Sequence, residues 1–398
     1  MRVRGGVALL LIVAVAATVQ YFRPIPAVTA AAALPRSEVV PGTPPTLPWP
    51  ARGAAAVGVP GLGVIASSGT EQAIPAASVT KVMTALVLLL EAPLQVGGSG
   101  PVYTVTDADV QAYQADLALG QSVARVEAGE QLSEMRLLQG MLIPSANNYA
   151  EMVARWYGAG SIETFVAKMN ARAAALKMTH THFADPAGAS PQSVSTPTDL
   201  LILGMVAMKD PAFASVVAMP QVDLPVAGTV YNVNAALGQN GIVGVKTGSG
   251  LNAGANFLFA SSQKIDGRDI LVMGCVMGQP TLSAAFASAQ NLSKAMSAAL
   301  HVKRVIERNE TVGTYMTAWG PQVDVISLSD VDLVEWPGMV LRQRLDSPTL
   351  NVDHPLPSNT HAGLLHLALG DYSVEVEVAT ASALYPPGRL WRLTRVAF

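Results

Sequence analysis

Ser78-Val79-Thr80-Lys81 stands at the mouth of the first long apolar helix expected in this 398-residue chain. Side chains three apart on a helix share a face, so the Lys81 amine can reach the Ser78 hydroxyl. A serine is a poor nucleophile until a base takes its proton. Lysine can be that base only when neutral, a state that burial or a second nearby cation favours. The helix start adds a backbone N–H without an intrahelical partner, a donor ready for an oxyanion. Taken alone, Ser78 reads as an ordinary helix N-cap. Ser261-Ser262-Gln263-Lys264 fits the same pattern, but is expected in a hairpin turn with no helix behind it.

Two more groups could share a cleft with it. In Ser145-Ala146-Asn147, a hydroxyl could relay a proton and a carboxamide could bind a peptide group; in isolation the pair reads as helix capping. Lys246-Thr247-Gly248 closes an expected strand. Lysine and threonine there could hold a carboxylate, and glycine would let a substrate backbone lie against the strand. Alone, Lys246 reads as a solvated strand-end lysine. A phosphate-binding loop is excluded, because Val245 stands where the second glycine of that motif must be.

The elements that must position these groups follow from periodicity and caps. Strands are expected at Ala54 to Val59 and Leu62 to Ser67, then a helix from Ser78 to about Leu90. Ser133 caps a helix through Leu142, and Ser161 caps another carrying Phe165, Met169, Ala173 and Leu176 on one face. Strands return at Ile242 to Thr247, Ala255 to Ser261 and Asp269 to Met277. A turn at Asp266-Gly267 joins the last two, and a helix spans Thr281 to Leu300. Strands, a helical block, strands and a closing helix imply an α/β (α+β) fold, an antiparallel sheet flanked by helices with a helical subdomain. From residue 301 to 398, alternating segments punctuated by Gly and Pro predict a small all-β domain.

Only 13% of residues are charged and 50% are hydrophobic. A mean hydropathy of +0.35 excludes a largely disordered chain. A polytopic membrane protein would need several apolar runs of about 20 residues, and within residues 1–22 only Gly5 to Val19, running on weakly to Phe22, comes close. Arg2 and Arg4 precede that run, so it reads as an export signal or signal anchor; a retained anchor is favoured over cleavage near Ala30 to Ala33. Residues 23–51, rich in proline from Pro35 to Pro50, read as a stiff linker, and residues 52–300 as the main domain. A net charge of −3 offers no footprint for nucleic acid. The single cysteine, Cys275, rules out an internal disulfide and is expected in the core. His180 and His182 alternate as metal ligands can, but no third ligand is evident, so they read as surface or loop histidines.

Together, Ser-x-x-Lys, Ser-x-Asn and Lys-Thr-Gly, in that order and about 65 and 100 residues apart, resemble the penicillin-recognising serine enzymes. The segments Ile74 to Leu86, Thr181 to Gly188, Ser195 to Leu200 and Gly241 to Gly248 look like those of low-molecular-mass penicillin-binding proteins, the D-alanyl-D-alanine carboxypeptidases. The resemblance implies a β-lactamase/D,D-peptidase-like fold and acylation of Ser78 by peptidoglycan stem peptides ending in D-Ala-D-Ala. It implies Lys81 as base and Ser145 as proton donor to the leaving D-alanine. Asn147 would bind the substrate amide, with Ser145 held near Lys81. Lys246 and Thr247 would hold the terminal carboxylate, Gly248 completing the motif. The backbone N–H groups of Ser78 and Ser249 would form the oxyanion hole. β-Lactam antibiotics would be covalent inhibitors, and neither a metal nor a cofactor would be needed.

Departures from the pattern are Asn148-Tyr149, where Asp-Ala is frequent, and Ala189, where leucine is usual, with a short loop after it. The last residues, Gly388 to Phe398, are too short and too basic for the C-terminal membrane helix of some members, which leaves the N-terminal segment as the tether. A β-lactamase would need a deacylating base, and Phe183 to Asp199 offers Asp185 but no Glu. Asp199 reads as a cap or ion-pair partner. A D,D-endopeptidase and a non-catalytic β-lactam sensor or wall-binding protein are the remaining rivals. Trp319, Trp336 and Trp391 could line a glycan surface, packing being the plainer reading.

Overall fold

The computed structural model describes residues 2–69, 72–250 and 252–395. Two compact units divide the chain. One is Pro44–Leu300; in the other, Met1–Thr43 joins His301–Phe398.

The first unit is built on a five-stranded sheet whose elements, in chain order, are β1 (Ala54–Val59), β2 (Gly63–Ser68), β3 (Ile242–Gly250), β4 (Gly254–Ile265) and β5 (Arg268–Gln279). Their spatial order is β3-β4-β5-β1-β2, every pair antiparallel. The β4–β5 hairpin turns at Asp266 and Gly267, both with positive φ, as an Asp-Gly turn requires. Among the described residues, eight helices are inserted or appended: α1 (Lys81–Glu91), α2 (Asp107–Ala118), α3 (Glu134–Leu142), α4 (Asn147–Tyr157), α5 (Ile162–Ala175), α6 (Pro197–Ala207), α7 (Pro211–Val217) and α8 (Leu282–Ala299). Ser133, Ser161, Thr196 and Thr281 each cap a helix by accepting a backbone N–H from the first turn, which fixes where α3, α5, α6 and α8 begin.

Neighbouring residues on β4 show how the layers stack. Phe257 meets Phe286 of α8 edge-on at 4.9 Å, whereas Leu258 packs on Gly204 of α6. Consecutive strand residues point to opposite faces, so α8 and α6 cover opposite sides of the sheet. The central strand β5 is accordingly apolar on both faces, with Met273, Cys275, Val276 and Met277 fully buried. Val82, Met83, Ala85 and Leu88 of α1 lie in the same core as α3 to α6. This burial holds the first helix, and with it Ser78 and Lys81, between the sheet and the helical subdomain.

The second unit carries a seven-stranded antiparallel sheet in the order 30–32, 311–316, 322–327, 372–380, 361–369, 340–346, 37–39. This corrects the reading of residues 23–51 as a linker throughout. Ala30–Ala32 pairs with residues 313–315, and Ser37–Val39 with residues 340–342, closing the two sheet edges. Neither Ala-Ala-Ala nor Ser-Glu-Val is a strong strand former. Unpaired N–H and C=O groups at a sheet edge recruit extended chain whatever its propensity, so the pairing follows from the partner strands. The N-terminal helix runs Arg2–Phe22. Among the described residues, no single helix is long and apolar enough to cross a membrane, and Gly6–Phe22 is a shorter apolar helix. Residues 389–394 form a short helix; Val396, Ala397 and Phe398 of the basic chain end lie outside the described residues.

Candidate active site

The nucleophile segment is a 3-10 turn, Ala77–Thr80, that runs directly into α1. It leaves Ser78 partly exposed, while Val79, Thr80 and Lys81 are buried. Ala77 holds a left-handed φ of +48°, an unfavourable geometry for alanine that turns the chain sharply just before the hydroxyl. Two neighbours hold the turn. The buried Asn256 of β4 donates to the carbonyls of Pro75 and Ala76 at 3.0 and 3.2 Å, and accepts from Gly278 N at 2.9 Å. Gly248 of the edge strand β3 comes so close that a Cβ there would lie 2.8 Å from Ala76 O and 3.1 Å from Ser78 N. Only glycine fits this approach, and it brings β3 against the nucleophile's own amide.

Lys81 is fully buried, and its Nζ lies 2.9 Å from Ser78 Oγ, 2.7 Å from Asn147 Oδ1 and 2.9 Å from the carbonyl of Ala187. Both carbonyl oxygens can only accept. A neutral amine therefore gives one N–H to each and turns its lone pair to Ser78, whose O–H donates to it. Burial pushes the Lys81 pKa well below the lysine range and the charge of Lys246 lowers it further, against Asp185, Asp116 and Glu151. The geometry is that of a base beside its hydroxyl.

Ser145 sits in the loop between α3 and α4 with φ +65°. Its Oγ lies 2.9 Å from Lys246 Nζ, which also donates to Thr247 O at 3.2 Å. The expectation held Ser145 near Lys81; its hydrogen bond here is to Lys246 instead. Lys81 has its three partners elsewhere, and Ser145 is tied to the second lysine. Lys246 is buried, which lowers its pKa to about 7. Thr247 is buried beside it, and Ser249 is exposed at the strand end.

Asn147 opens α4. Because its Oδ1 accepts from Lys81, its Nδ2 must face the other way, and it donates to Gln121 Oε1 at 3.1 Å. Its backbone N–H donates to Ser122 O at 2.7 Å. Asn148 then grips the same segment, donating to Ala124 O and accepting from Ala124 N at 2.9 and 3.2 Å. The departure at 148 thereby anchors the segment that carries Gln121. Gln121 and Asn256 were not evident from the sequence, since neither lies in a motif and both act through contacts remote along the chain.

Asp185 organises the loop behind Lys81. Its carboxylate accepts the N–H groups of Ala187, Gly188, Ala189 and Ser190 and the hydroxyl of Ser193, all within 2.6–3.1 Å. Thr84 of α1 donates to Pro186 O at 2.6 Å. A carboxylate so occupied shapes a loop and aims the Ala187 carbonyl at Lys81; it is not placed to activate water. Asp199 accepts from His180 N and Thr181 Oγ1, fastening a turn. His182 pairs through its backbone with Val194. The second Ser-x-x-Lys lies on strand β4 rather than in the hairpin turn. Alternation there sends Ser261 inward to Asn240 O and leaves Lys264 exposed beside Asp269, so the two cannot meet.

The two lysines set the expected pH dependence. As a base, Lys81 would have to be neutral; as a carboxylate ligand, Lys246 would have to be charged. Activity as kcat/KM, which reports the free enzyme, should fall at low pH as Lys81 is protonated and fall again above about pH 7 as Lys246 loses its charge. Lys246→Arg should remove the alkaline limb and keep the acid one, as measured by initial rates across pH.

Comparison with known proteins converges on one family. A D-alanyl-D-alanine carboxypeptidase of Mycobacterium tuberculosis is 34% identical over 165 residues, 41% of this chain and 52% of that protein. A D-alanyl-D-alanine carboxypeptidase of a Streptomyces species is 29% identical over 202 residues, 47% of this chain and 67% of its own. A D-alanyl-D-alanine endopeptidase of Pseudomonas aeruginosa is 30% identical over 158 residues and is spanned to 47% of its length. The chain thus spans about half to two thirds of these relatives. The crystal structure of a Streptomyces DD-transpeptidase superposes with a TM-score of 0.57 at 27% identity, over 65% of this chain and 100% of that one. A Francisella tularensis D-alanyl-D-alanine carboxypeptidase at 18% identity shares the fold, with a TM-score of 0.58 over 88% of this chain and 97% of its own. Residues 51–281, more than half of the chain, match the model of the D-alanyl-D-alanine carboxypeptidase family, and the chain belongs to that family.

Proposed function

We propose that the protein is an exported serine D-alanyl-D-alanine carboxypeptidase that removes the terminal D-alanine from peptidoglycan stem pentapeptides. The observation that carries this reading is the buried Lys81 amine, whose Nζ lies within hydrogen-bond distance of Ser78 Oγ, Asn147 Oδ1 and Ala187 O; when neutral it can give its two N–H groups to the carbonyls and turn its lone pair to Ser78. In the proposed reaction Ser78 Oγ attacks the carbonyl between the two D-alanines as its proton passes to Lys81. The N–H groups of Ser78 and Ser249 stabilise the oxyanion. Ser145, polarised by Lys246, delivers a proton to the departing amine, and the proton that Lys81 took from Ser78 replaces it. Asn147 orients Lys81 and exchanges Gln121 for the substrate's peptide group. Lys246 and Thr247 bind the terminal carboxylate on the free edge of β3, Gly248 keeping that strand close. Water then hydrolyses the ester. β-Lactams, which present a carboxylate beside a reactive carbonyl, would acylate the same serine.

Residues 52–300 are the proposed catalytic domain and 301–398, joined by the two N-terminal strands, a β-rich module. Residues 1–22 are the proposed signal or anchor, which would place the protein at the outer face of the cytoplasmic membrane. Incubation with a peptide ending in D-Ala-D-Ala should release free D-alanine. Stable acylation by penicillin without release would instead indicate a sensor, rapid turnover of penicillin a β-lactamase, and cleavage confined to cross-linked peptides an endopeptidase.

A further inference from the structure

The β-rich unit carries a second feature that the catalytic reading does not use. Where the N-terminal helix ends, the short helix Arg389–Thr394 packs against it. Arg395, only 9% exposed, donates through its guanidinium to the carbonyls of Gln20, Arg23 and Pro24 at 3.2, 2.6 and 3.0 Å. A cation there satisfies carbonyls that a helix C-terminus leaves without partners and complements its dipole. Around this cap lie aromatic rings and further guanidinium groups. Arg395 stacks on Trp391 at 5.1 Å, Arg392 on Tyr21 at 5.5 Å, and Trp391 meets Trp319 edge-on at 5.8 Å. Trp319 Nε1 donates to Tyr385 O at 3.0 Å, so the loop bearing Tyr385 joins the group.

Next to these rings, large apolar side chains point to solvent. Phe22 is 74% exposed, Leu390 76% and Tyr385 62%, with Leu393 also exposed. The N-terminal helix itself presents Leu9, Leu10, Leu11, Ile12 and Val19 outward. An exposed apolar helix that ends in a ring of Trp, Tyr and Arg has the layering of a bilayer: hydrocarbon along the helix, then amphipathic rings and cations at headgroup depth. The six-residue helix is too short to anchor by itself. It adds Leu390 and Leu393 to a surface that both chain ends build.

We propose that Phe22, Tyr385, Leu390 and Leu393, with the Trp319–Trp391 pair and the surrounding arginines, form an interfacial collar that seats the β-rich unit on an anionic lipid surface. The proposal rests on the reading of the N-terminal helix as a membrane segment and adds that the β-rich unit rests at the headgroups. Arg23, Arg389 and Arg392 supply the positive charge that such a surface attracts. The occupant is therefore a lipid leaflet rather than a glycan strand.

The test uses the full chain in phosphatidylcholine vesicles with and without phosphatidylglycerol. An environment-sensitive fluorophore is placed at Leu393→Cys, at Val13→Cys and, as a control, at the exposed Leu119→Cys of the catalytic unit; the native Cys275 is buried. The expected result is a blue shift and loss of emission at Leu393→Cys with a nitroxide at headgroup depth, and at Val13→Cys with a nitroxide deep in the acyl chains. The Leu119→Cys label should not change, and loss at Leu393→Cys should weaken without phosphatidylglycerol. Quenching at Val13→Cys with none at Leu393→Cys overturns the collar and leaves the membrane segment standing. No quenching at either site overturns both. Equal quenching in neutral vesicles overturns the anionic preference.

Discussion

Lys81→Met should lower the acylation rate by penicillin at least about 10³-fold while leaving the protein folded, because a general base contributes about 10²–10⁴ and groups acting as a unit fail together. Methionine approximates the volume of the lysine stem, so the core around α1 stays filled. It strands two acceptors, Asn147 Oδ1 and Ala187 O, at a cost of about 1–3 kcal/mol each if neither finds another donor. Stopped-flow labelling together with urea unfolding separates the two effects. Lys264→Met, in the other Ser-x-x-Lys, alters a side chain exposed beside Asp269 and should change neither rate nor stability measurably. A Lys81→Met enzyme that acylates at near wild-type rate would remove Lys81 from the mechanism.

Gly188→Ala should be the most disruptive single-methyl change in the site. Gly188 has φ +75°, and a Cβ on it would stand 1.9 Å from Ala77 O and 2.4 Å from Ala77 C. Backbone atoms cannot swing aside as a flexible side-chain end can, so either the 185–190 loop or the turn before Ser78 must move. Strain and overpacking together suggest a loss of about 2–5 kcal/mol. The loop also carries Ala187 O, a partner of Lys81, so acylation should fall along with stability. Urea unfolding and the acylation rate read the two losses. Wild-type behaviour in both would show that the loop does not brace the nucleophile turn.

What the sequence made legible was local. Ser133 and Ser161 announced α3 and α5 through cap chemistry, and Asp266-Gly267 announced the β4–β5 hairpin, because each signal acts within a few residues of itself. The three polar motifs were legible for the same reason, since each is a short run of residue types that chemistry needs together. Contacts between distant segments were not. Nothing near Asn256 states that it will hold Pro75 and Ala76, which lie about 180 residues earlier. Gln121 gains its place only because Lys81 turns the Asn147 carboxamide toward it. Ser145 bonding Lys246 rather than Lys81 depends on how α4 and β3 meet, and spacing within either motif does not contain that. The same limit concealed Ala30–Ala32 and Ser37–Val39, whose strand character is lent by residues about 280–300 positions later.

The central claim is that Ser78 is the residue acylated. Penicillin treatment followed by proteolysis and mass spectrometry tests it most directly, comparing wild type, Ser78→Ala and Ser261→Ala. The account predicts one adduct on the peptide containing Ser78 in wild type and Ser261→Ala, and none in Ser78→Ala. An adduct that persists in Ser78→Ala, or that maps to Ser145, would contradict it.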